Sequence, residues 1–207
     1  MAGDTEKQRG GGMKLLIIGA GGIGSFFLKE LCLAIKQNQV DPYTQVTIAD
    51  DDVVQSEQVL YQDFKIGEAG LRKVDVLGER YKSLGVNGIP ARINAPEQLT
   101  GHDLIVLCVD NDRTRDMVVR YCHKHQAEFL DLRSSGRRIL AMPKLSGIEE
   151  NLKFIDADDT KSHSCQEVGD LQQGYIQKGH KIVALIGIQM LLNHIRGHPN
   201  RMVSLLI

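Results

Sequence analysis

A glycine-rich turn near the start of the chain has the spacing of a phosphate-binding loop. Gly19, Gly21 and Gly24 follow the apolar run at residues 14–18 and precede an apolar-periodic stretch. A strand, turn and helix of this kind lets the backbone approach a phosphate and points the unpaired N–H groups of the helix at it. NAD, FAD and ATP all suit such a turn, so other residues must decide which nucleotide binds.

Acidic residues follow the predicted second strand. The strand QVTIA, residues 45–49, ends in Asp50, Asp51 and Asp52. A carboxylate at this point can accept hydrogen bonds from both hydroxyls of a ribose, and Asp50 is the natural candidate. Asp51 is interpreted as part of a charged, solvated loop.

A second polar group follows a later strand. Asp110 and Asn111 come directly after the buried run at residues 103–109, and Arg115 follows one helical turn further on. The carboxyl ends of parallel strands meet at one edge of a sheet, where doubly wound proteins bind ligands. Asp110, Lys73 and an acid of the second strand would together hold Mg²⁺ and a polyphosphate, a charge pairing that NAD does not need.

Strand and helix patterns alternate along the chain from residue 14 onward. Strands are predicted at residues 14–18, 45–49, 89–94, 103–109, 127–132 and 137–142, and helices at 23–35, 73–84, 112–124 and 181–195. This alternation predicts an α/β fold, a Rossmann-like, doubly wound and mostly parallel sheet with helices on both faces.

Composition and charge exclude several classes of function. The 207 residues are 42% hydrophobic and carry a formal net charge of −1, so bulk electrostatics favour neither nucleic-acid nor membrane binding. The four cysteines form no CxxC pair, which is typical of a reduced cytoplasmic chain, and no apolar run reaches transmembrane length. We expect residues 1–12 to be a flexible tail or an expression remnant, and 13–207 to be one domain with a polar lid or crossover at 144–180.

The motifs GAGGIG, DDD, SEQVLYQDF, GLRKV and CVDNDRTR, in this order, resemble those of the ThiF/MoeB/HesA family, which is related to ubiquitin-activating enzymes. The resemblance covers roughly residues 13–142. It implies an adenylyltransferase that binds ATP and Mg²⁺ and adenylates the terminal glycine of a small ubiquitin-like or sulfur-carrier protein. A thioester or persulfide transfer follows in many relatives. It also implies a homodimer, or a heterodimer with a related subunit.

The resemblance also assigns roles to single residues. Asp110 matches the catalytic aspartate and Mg²⁺ partner, Lys73 matches a phosphate-contacting lysine, and Arg115 matches the arginine of a D-N-x-x-x-R pattern. The residues that it implies for nucleotide binding are Gly19, Gly21, Gly22, Gly24, Asp50, Asp52, Gln58, Gln62, Lys73, Asp110 and Asn111.

One departure from the family pattern affects the expected activity. The usual S-N-L-x-R-Q appears here as EQVLYQ, so that Tyr61 replaces a phosphate-contacting arginine and Gln58 replaces an asparagine. Tyrosine cannot supply positive charge to the transferring phosphoryl group. Either Arg72, Arg113 or an arginine of a partner chain substitutes, or the protein is a weak or inactive member. The zinc-binding cysteine pairs of many members are absent, so the expected metal is Mg²⁺.

The four cysteines differ in their sequence surroundings. Cys165 lies in the polar stretch KSHSCQEVGD beside His163, and is either a catalytic nucleophile or an incidental loop thiol. Cys32 and Cys108 lie in apolar stripes and are predicted core residues. Cys122, with His123 and His125, is interpreted as part of a solvated helix face.

The role of three arginines stays open. Arg133, Arg137 and Arg138 lie near a strand end, where they contact either a phosphate or a partner's tail, or are surface charges.

The first alternative function is an NAD(P)-dependent oxidoreductase or nucleotide sensor, for which Asp50 alone would matter. The second is a catalytically silent scaffold that binds a ubiquitin-like partner, which Tyr61 favours.

Overall fold

A computed structural model describes residues 12–155, 166 and 168–207, which form a seven-stranded sheet covered by helices. The strands are β1 Lys14–Ile18, β2 Gln45–Ala49, β3 Val86–Ile89, β4 Leu104–Leu107, β5 Glu128–Ser135, β6 Arg138–Pro143 and β7 Val203–Leu206. Their order is β3-β2-β1-β4-β5-β6-β7. The first five strands in this order are parallel, whereas β6 and β7 run antiparallel to their neighbours.

Helices lie on both faces of the sheet. They are α1 Gly22–Lys36, α2 Lys73–Arg80, α3 Asp112–His125, α4 Ile148–Leu152, α5 Val168–Gln172 and α6 Gly179–Ile195. Residues of α1, α2 and α6 contribute to one apolar core, and residues of α3 and α4 contribute to the other. The predicted Rossmann-like fold is therefore confirmed.

The apolar sequence of β1 and β4 explains their central position. All four residues of Leu104–Leu107 are buried, as expected of a strand that has helices on both faces. The predicted apolar stripe of α1 packs inward, with Phe27 and Leu31 fully buried. β4 and α1 are therefore anchored in the core next to the loops at the edge of the sheet.

The chain changes direction across the sheet between β1 and β4. β2 and β3 lie on one side of β1, and β4 and β5 lie on the other. The carboxyl ends of β1, β2 and β4 are held together, since Gly19 N–H donates to Ala49 O and Cys108 N–H donates to Ile18 O, both at 2.8 Å. A doubly wound sheet has its ligand crevice at such a switch point.

Several predicted elements differ from the structure. The strand predicted at residues 89–94 is wrong: β3 ends at Ile89, and Pro90 follows, which cannot donate to a strand ladder. The helix predicted at 73–84 ends at Arg80 and continues as the short 3-10 helix Lys82–Leu84. The solvated position expected for Cys122 is also wrong, because its side chain is fully buried between α3 and the sheet.

The predicted lid at residues 144–180 is only partly described. It contains α4 and α5, while residues 156–165 and 167 lie outside the described residues, as do residues 1–11. In the part of the chain that the structure describes, every helix is too short or too polar to cross a membrane.

Candidate functional site

A cavity of about 590 Å³ opens at the carboxyl ends of the parallel strands. It lies at the switch point between β1 and β4, and the β5–β6 hairpin forms its far wall. The predicted site residues that line it are Gly19, Gly21, Gly22, Asp50, Asp52, Gln58, Gln62, Lys73, Asp110, Asn111 and Arg115. Nearly all of the residues singled out from the sequence therefore come together in one place.

Two glycines shape the turn at the base of this cavity. Gly19 has a φ of +97°, and a Cβ there would lie 2.7 Å from the carbonyl oxygen of Cys108. Gly24 lies outside the cavity lining, and a Cβ on it would lie 1.8 Å from the carbonyl oxygen of Gly19. Gly24 thus permits close packing of α1 on the turn. The first turn of α1 has no side-chain cap, so its N–H groups are available to an anion.

Asp50 is fixed by two backbone hydrogen bonds. Its Oδ2 accepts from Ala20 N at 2.6 Å, and its Oδ1 accepts from Asp52 N at 2.8 Å. Burial raises the pKa of Asp50 above its ordinary value, and the positive charge of Lys73 partly offsets this. A carboxylate held in this way retains lone pairs that can accept ribose hydroxyls.

Lys73 places a positive charge in the cavity wall. Its Nζ lies 2.9 Å from Asp52 Oδ2, and its side chain is only 3% exposed, whereas that of Asp52 is 65% exposed. The charge is thus buried while its partner stays in solvent. Because the carboxylate of Asp52 is already largely solvated, it can move into water when an incoming phosphate takes its place beside the buried ammonium.

Asp110 and Asn111 lie where β4 ends. Asp110 lines the cavity with its side chain exposed, and Asn111 caps α3 by accepting a hydrogen bond from Thr114 N at 2.9 Å. The predicted positions of both residues at the cavity wall are therefore observed. Their roles in nucleotide and metal binding stay predictions.

The guanidinium of Arg115 is held by the protein itself. It lies 2.9 Å from Asp112 Oδ1 and 3.2 Å from Asp131 Oδ1, and it donates to the carbonyl oxygen of Val109. Burial alone would lower the pKa of Arg115, but Asp131 and Asp112 raise it above its ordinary value. Arg115 therefore ties the segment before Asp110 to β5 and the start of α3.

Asp131 is an important residue that the sequence analysis missed. It is fully buried in β5 and accepts from Arg133 at 2.9 and 2.6 Å, on the oxygen that Arg115 does not contact. Arg133 lines the cavity and also donates to Phe154 O. A carboxylate inside the apolar strand EFLDL was the available signal, because a buried acid requires a partner.

The cavity lining includes polar atoms without a partner among the described residues. These are Gln58 Oε1, Gln62 Oε1 and Ser134 Oγ, each buried and lacking a hydrogen bond. A buried polar atom without a partner costs about 1–3 kcal/mol, so a ligand that satisfies it recovers that energy. Such atoms, together with Lys73 and Asp50, fit a ligand that combines hydroxyls and phosphates.

The arginines that line the cavity differ from those expected to replace the family arginine at Tyr61. Tyr61 itself lines the cavity. Arg72 lies outside the lining, and Arg113 belongs to a neighbouring cavity. The arginines that do line it are Arg92, Arg115, Arg133 and Arg138.

Two predicted roles stay predictions: Asp110 as a Mg²⁺ ligand and Cys165 as a nucleophile. Among the described residues, Asp50, Asp51 and Asp52 form a group of three acids whose ligand oxygens lie within 4.8 Å of one another. Asp110 is not part of this group, and its role as a Mg²⁺ ligand stays a prediction. Cys165 lies outside the described residues. The described residue after it, Gln166, is buried and hydrogen-bonds to His180. The His180 ring lies beside Gly22, where an added Cβ would be 3.6 Å from it.

Comparison with solved structures identifies proteins with a similar fold. Escherichia coli MccB is 16% identical, with a TM-score of 0.71 over 94% of this chain and 59% of that chain. E. coli TcdA, a tRNA N6-threonylcarbamoyladenosine dehydratase, is 14% identical, with a TM-score of 0.65 over 89% of this chain and 86% of that chain. The chain thus spans about three-fifths of the length of MccB.

Some of these relatives were crystallised with ligands. TcdA was crystallised in complex with ATP and with AMP, and MccB with AMPCPP and MccA. Among curated proteins, none matches the sequence. The model of the ThiF family matches residues 2–205, and the chain therefore belongs to the ThiF family.

Proposed function

We propose that this protein binds ATP in the cavity between β1 and β4 and uses it to adenylate a substrate carboxylate. The convergence of Lys73, Asp50 and Asp110 around one cavity at the switch point carries this proposal. The family membership supports it, as do the nucleotides in the structures of TcdA and MccB. In the reaction, a carboxylate oxygen bonds to the α-phosphorus of ATP while the bond from that phosphorus to the β-phosphate bridge breaks. Pyrophosphate leaves with the electron pair.

The protein's own residues divide the work of binding and charge neutralisation. Asp50 accepts hydrogen bonds from the ribose hydroxyls, and the glycine turn contacts the phosphates. Lys73 exchanges its contact with Asp52 for the β- and γ-phosphates. No general base is required, because the attacking carboxylate is already ionised at neutral pH. Positioning and charge neutralisation therefore supply most of the rate.

A divalent metal fits the acids at the rim of the cavity. Carboxylate oxygens are the ligands that Mg²⁺ prefers, and Asp110 and Asp52 both line the site. We propose that Asp110 holds this ion. When bound, Mg²⁺ neutralises phosphate oxygens and so favours departure of pyrophosphate.

Arg138 is our candidate for the positive charge that Tyr61 lacks. Of the other three arginines in the lining, Arg115 and Arg133 are paired with buried carboxylates, and Arg92 is shared with the neighbouring cavity. Arg138 is exposed at the start of β6, opposite Ser135, and makes no ion pair with a described residue. It can therefore turn toward a bound triphosphate without leaving a buried acid unpaired.

The finer details of the reaction extend this proposal. We propose a substrate that is a small ubiquitin-like or sulfur-carrier protein ending in glycine, and Cys165 as the acceptor of the activated acyl group in a second step. The peptide-like partner MccA in an MccB structure is consistent with a polypeptide substrate. A homodimer or heterodimer and a cytoplasmic location belong to the same proposal.

ATP–pyrophosphate exchange tests the proposed reaction. Purified protein, supplied with candidate carrier proteins from its native host, is expected to transfer label from pyrophosphate into ATP only when a carrier with a free terminal carboxylate is present. A carrier with an amidated terminus is the matched control, since it lacks the attacking oxygen. Exchange that does not depend on the carboxylate contradicts the proposal.

A second candidate function is a silent scaffold, and Tyr61 favours it because it brings no charge to the cavity wall. A scaffold would bind ATP and a carrier without exchange. Restoring an arginine by Tyr61→Arg distinguishes the two, since it is expected to increase exchange in a weak enzyme. In a scaffold that has lost other groups as well, the same change leaves exchange absent.

A further inference from the structure

A second cavity, of about 620 Å³, adjoins the nucleotide cavity. It lies between the segment that follows β3 and the first two turns of α3. Arg92, Asn111 and Thr114 line both cavities. Thr114 fixes this shared wall, because its N–H donates to Asn111 Oδ1 at 2.9 Å and its hydroxyl donates to Ile93 O at 3.4 Å. A ligand that fills the second cavity therefore ends next to the nucleotide.

The second cavity is positively charged. Arg92 and Arg113 reach it from different elements, and both are exposed and without an ion pair to any described residue. The acid in its lining, Asp116, already accepts hydrogen bonds from Arg120 Nε, at 3.0 Å on Oδ1 and 2.9 Å on Oδ2. Two guanidinium groups are thus available to carboxylates, which they bind with planar, paired hydrogen bonds.

The remaining lining suits a peptide better than a nucleic acid. Pro96 and Met117 offer apolar contact, and Asn94 offers an amide. Single-stranded RNA is bound mainly by stacking on aromatic side chains, and the described residues that line this cavity include no aromatic residue. The formal net charge of −1 likewise gives no general attraction for a polynucleotide.

We propose that the second cavity binds an acidic peptide segment, the carboxyl-terminal tail of the substrate whose carboxylate is adenylated. The tail carries one or more Asp or Glu side chains near its end, which pair with Arg113 and Arg92. Its terminal carboxylate passes the wall formed by Asn111 and Thr114 and reaches the α-phosphate. This inference rests on the proposed adenylation and names the chemistry of its substrate.

Charge reversal at Arg113 tests the proposal. Arg113 lines only the second cavity, and an acid in the first turn of a helix is favourable, so Arg113→Glu is expected to fold. Arg196→Glu is the matched control, because it makes the same change in charge at an exposed position after α6, outside both linings. Each protein is saturated with a non-hydrolysable ATP analogue. Labelled hexapeptides with a free Gly-Gly end then report binding by fluorescence anisotropy.

The two hexapeptides are identical except at two positions before the Gly-Gly end. These positions hold glutamate in one peptide and lysine in the other. We expect wild type and Arg196→Glu to bind the glutamate peptide about tenfold more tightly than the lysine peptide. Arg113→Glu is expected to reverse this preference while its affinity for the ATP analogue stays within about twofold of wild type. Loss of folding alone cannot produce such a reversal.

Three outcomes overturn the inference. The first is no charge preference, or no binding of the glutamate peptide up to about 1 mM. The second is a loss of ATP affinity in Arg113→Glu, which would assign the cavity to the nucleotide. The third is tighter binding of an RNA hairpin that Arg113→Glu abolishes. Failure of the wild-type protein to bind ATP would contradict the proposed function itself. ATP binding without a preference between the glutamate and lysine peptides would contradict this inference alone.

Discussion

Replacing Lys73 by methionine removes a buried ammonium from the cavity wall and keeps an unbranched side chain about as long as the aliphatic part of lysine. The partner of Lys73, Asp52, is 65% exposed, so loss of this ion pair is expected to change the free energy of unfolding by about 1 kcal/mol or less. The contact with ATP is different, because a hydrogen bond to a charged group contributes about 1.5–3 kcal/mol. ATP is therefore expected to bind about 10- to 150-fold more weakly.

Calorimetric titration with ATP and with AMP measures this effect. AMP lacks the β- and γ-phosphates that Lys73 is proposed to contact, so its affinity is expected to change far less. Lys82→Met is the matched control, because Lys82 pairs with Glu79 at 3.7 Å on the exposed surface. The rate of pyrophosphate exchange is expected to fall about 10²- to 10³-fold in Lys73→Met, as for loss of a preorganised charge at the reacting group. An ATP affinity equal to that of wild type would refute the reasoning.

The same substitution gives a pH-dependent readout at Asp50. Burial raises the pKa of Asp50 above its ordinary value, and the positive charge of Lys73 opposes this, so Lys73→Met is expected to raise the pKa further. The ionised carboxylate accepts the ribose hydroxyls, and AMP affinity is therefore lost as the pH falls through this pKa. We expect the midpoint of this loss to lie above the ordinary pKa of an aspartate in wild type and to move to higher pH in the variant. A midpoint that moves to lower pH would contradict the assigned role of Lys73.

Three further substitutions separate binding, chemistry and stability. Asp110→Ala is expected to lower pyrophosphate exchange at least about 100-fold without lowering the melting temperature, since Asp110 is exposed, and surviving exchange would disprove its role. Arg115→Met leaves Arg133 as the cation that both Asp112 and Asp131 must share. One buried negative charge is then uncompensated, so chemical denaturation is expected to show a loss of about 3–5 kcal/mol. A loss below about 1 kcal/mol would show that Arg115 is not structural. Cys165→Ala is expected to spare exchange and to remove any covalent intermediate on gels without reductant, and lost exchange would place Cys165 in the first step.

Patterns within single elements predicted much of the fold. The apolar run of β4 and the glycine turn before α1 are local signals, and both elements form as predicted. β7 was not predicted because its residues are largely exposed and it lies at the edge of the described sheet, beside β6, so no alternation of apolar and polar residues marks it. The strand expected at residues 89–94 was misplaced because β3 contains Gly88, which packs against α2 with little apolar signal.

The site was predictable where residues follow strand ends and not where it depends on register. Asp50 comes directly after β2 and Asp110 comes three residues after the end of β4, so the topology alone brings them to one edge. The contact of Asp131 with Arg115 requires β5 to lie beside β4, with Leu107 opposite Asp131. The basic pair of the second cavity, Arg92 and Arg113, similarly comes from segments about 20 residues apart whose approach no local pattern indicates.

The most direct test of the proposed triphosphate site is competitive binding of ATP, AMP and NADH to the wild-type protein. If Lys73 meets the terminal phosphates beside the glycine turn, ATP binds at least about tenfold more tightly than AMP, and NADH displaces neither. Displacement of ATP by NADH, or equal affinity for ATP and AMP, would contradict the account. Either result would show that the cavity recognises a nucleoside or a dinucleotide, and that the charges at its wall do not serve a triphosphate.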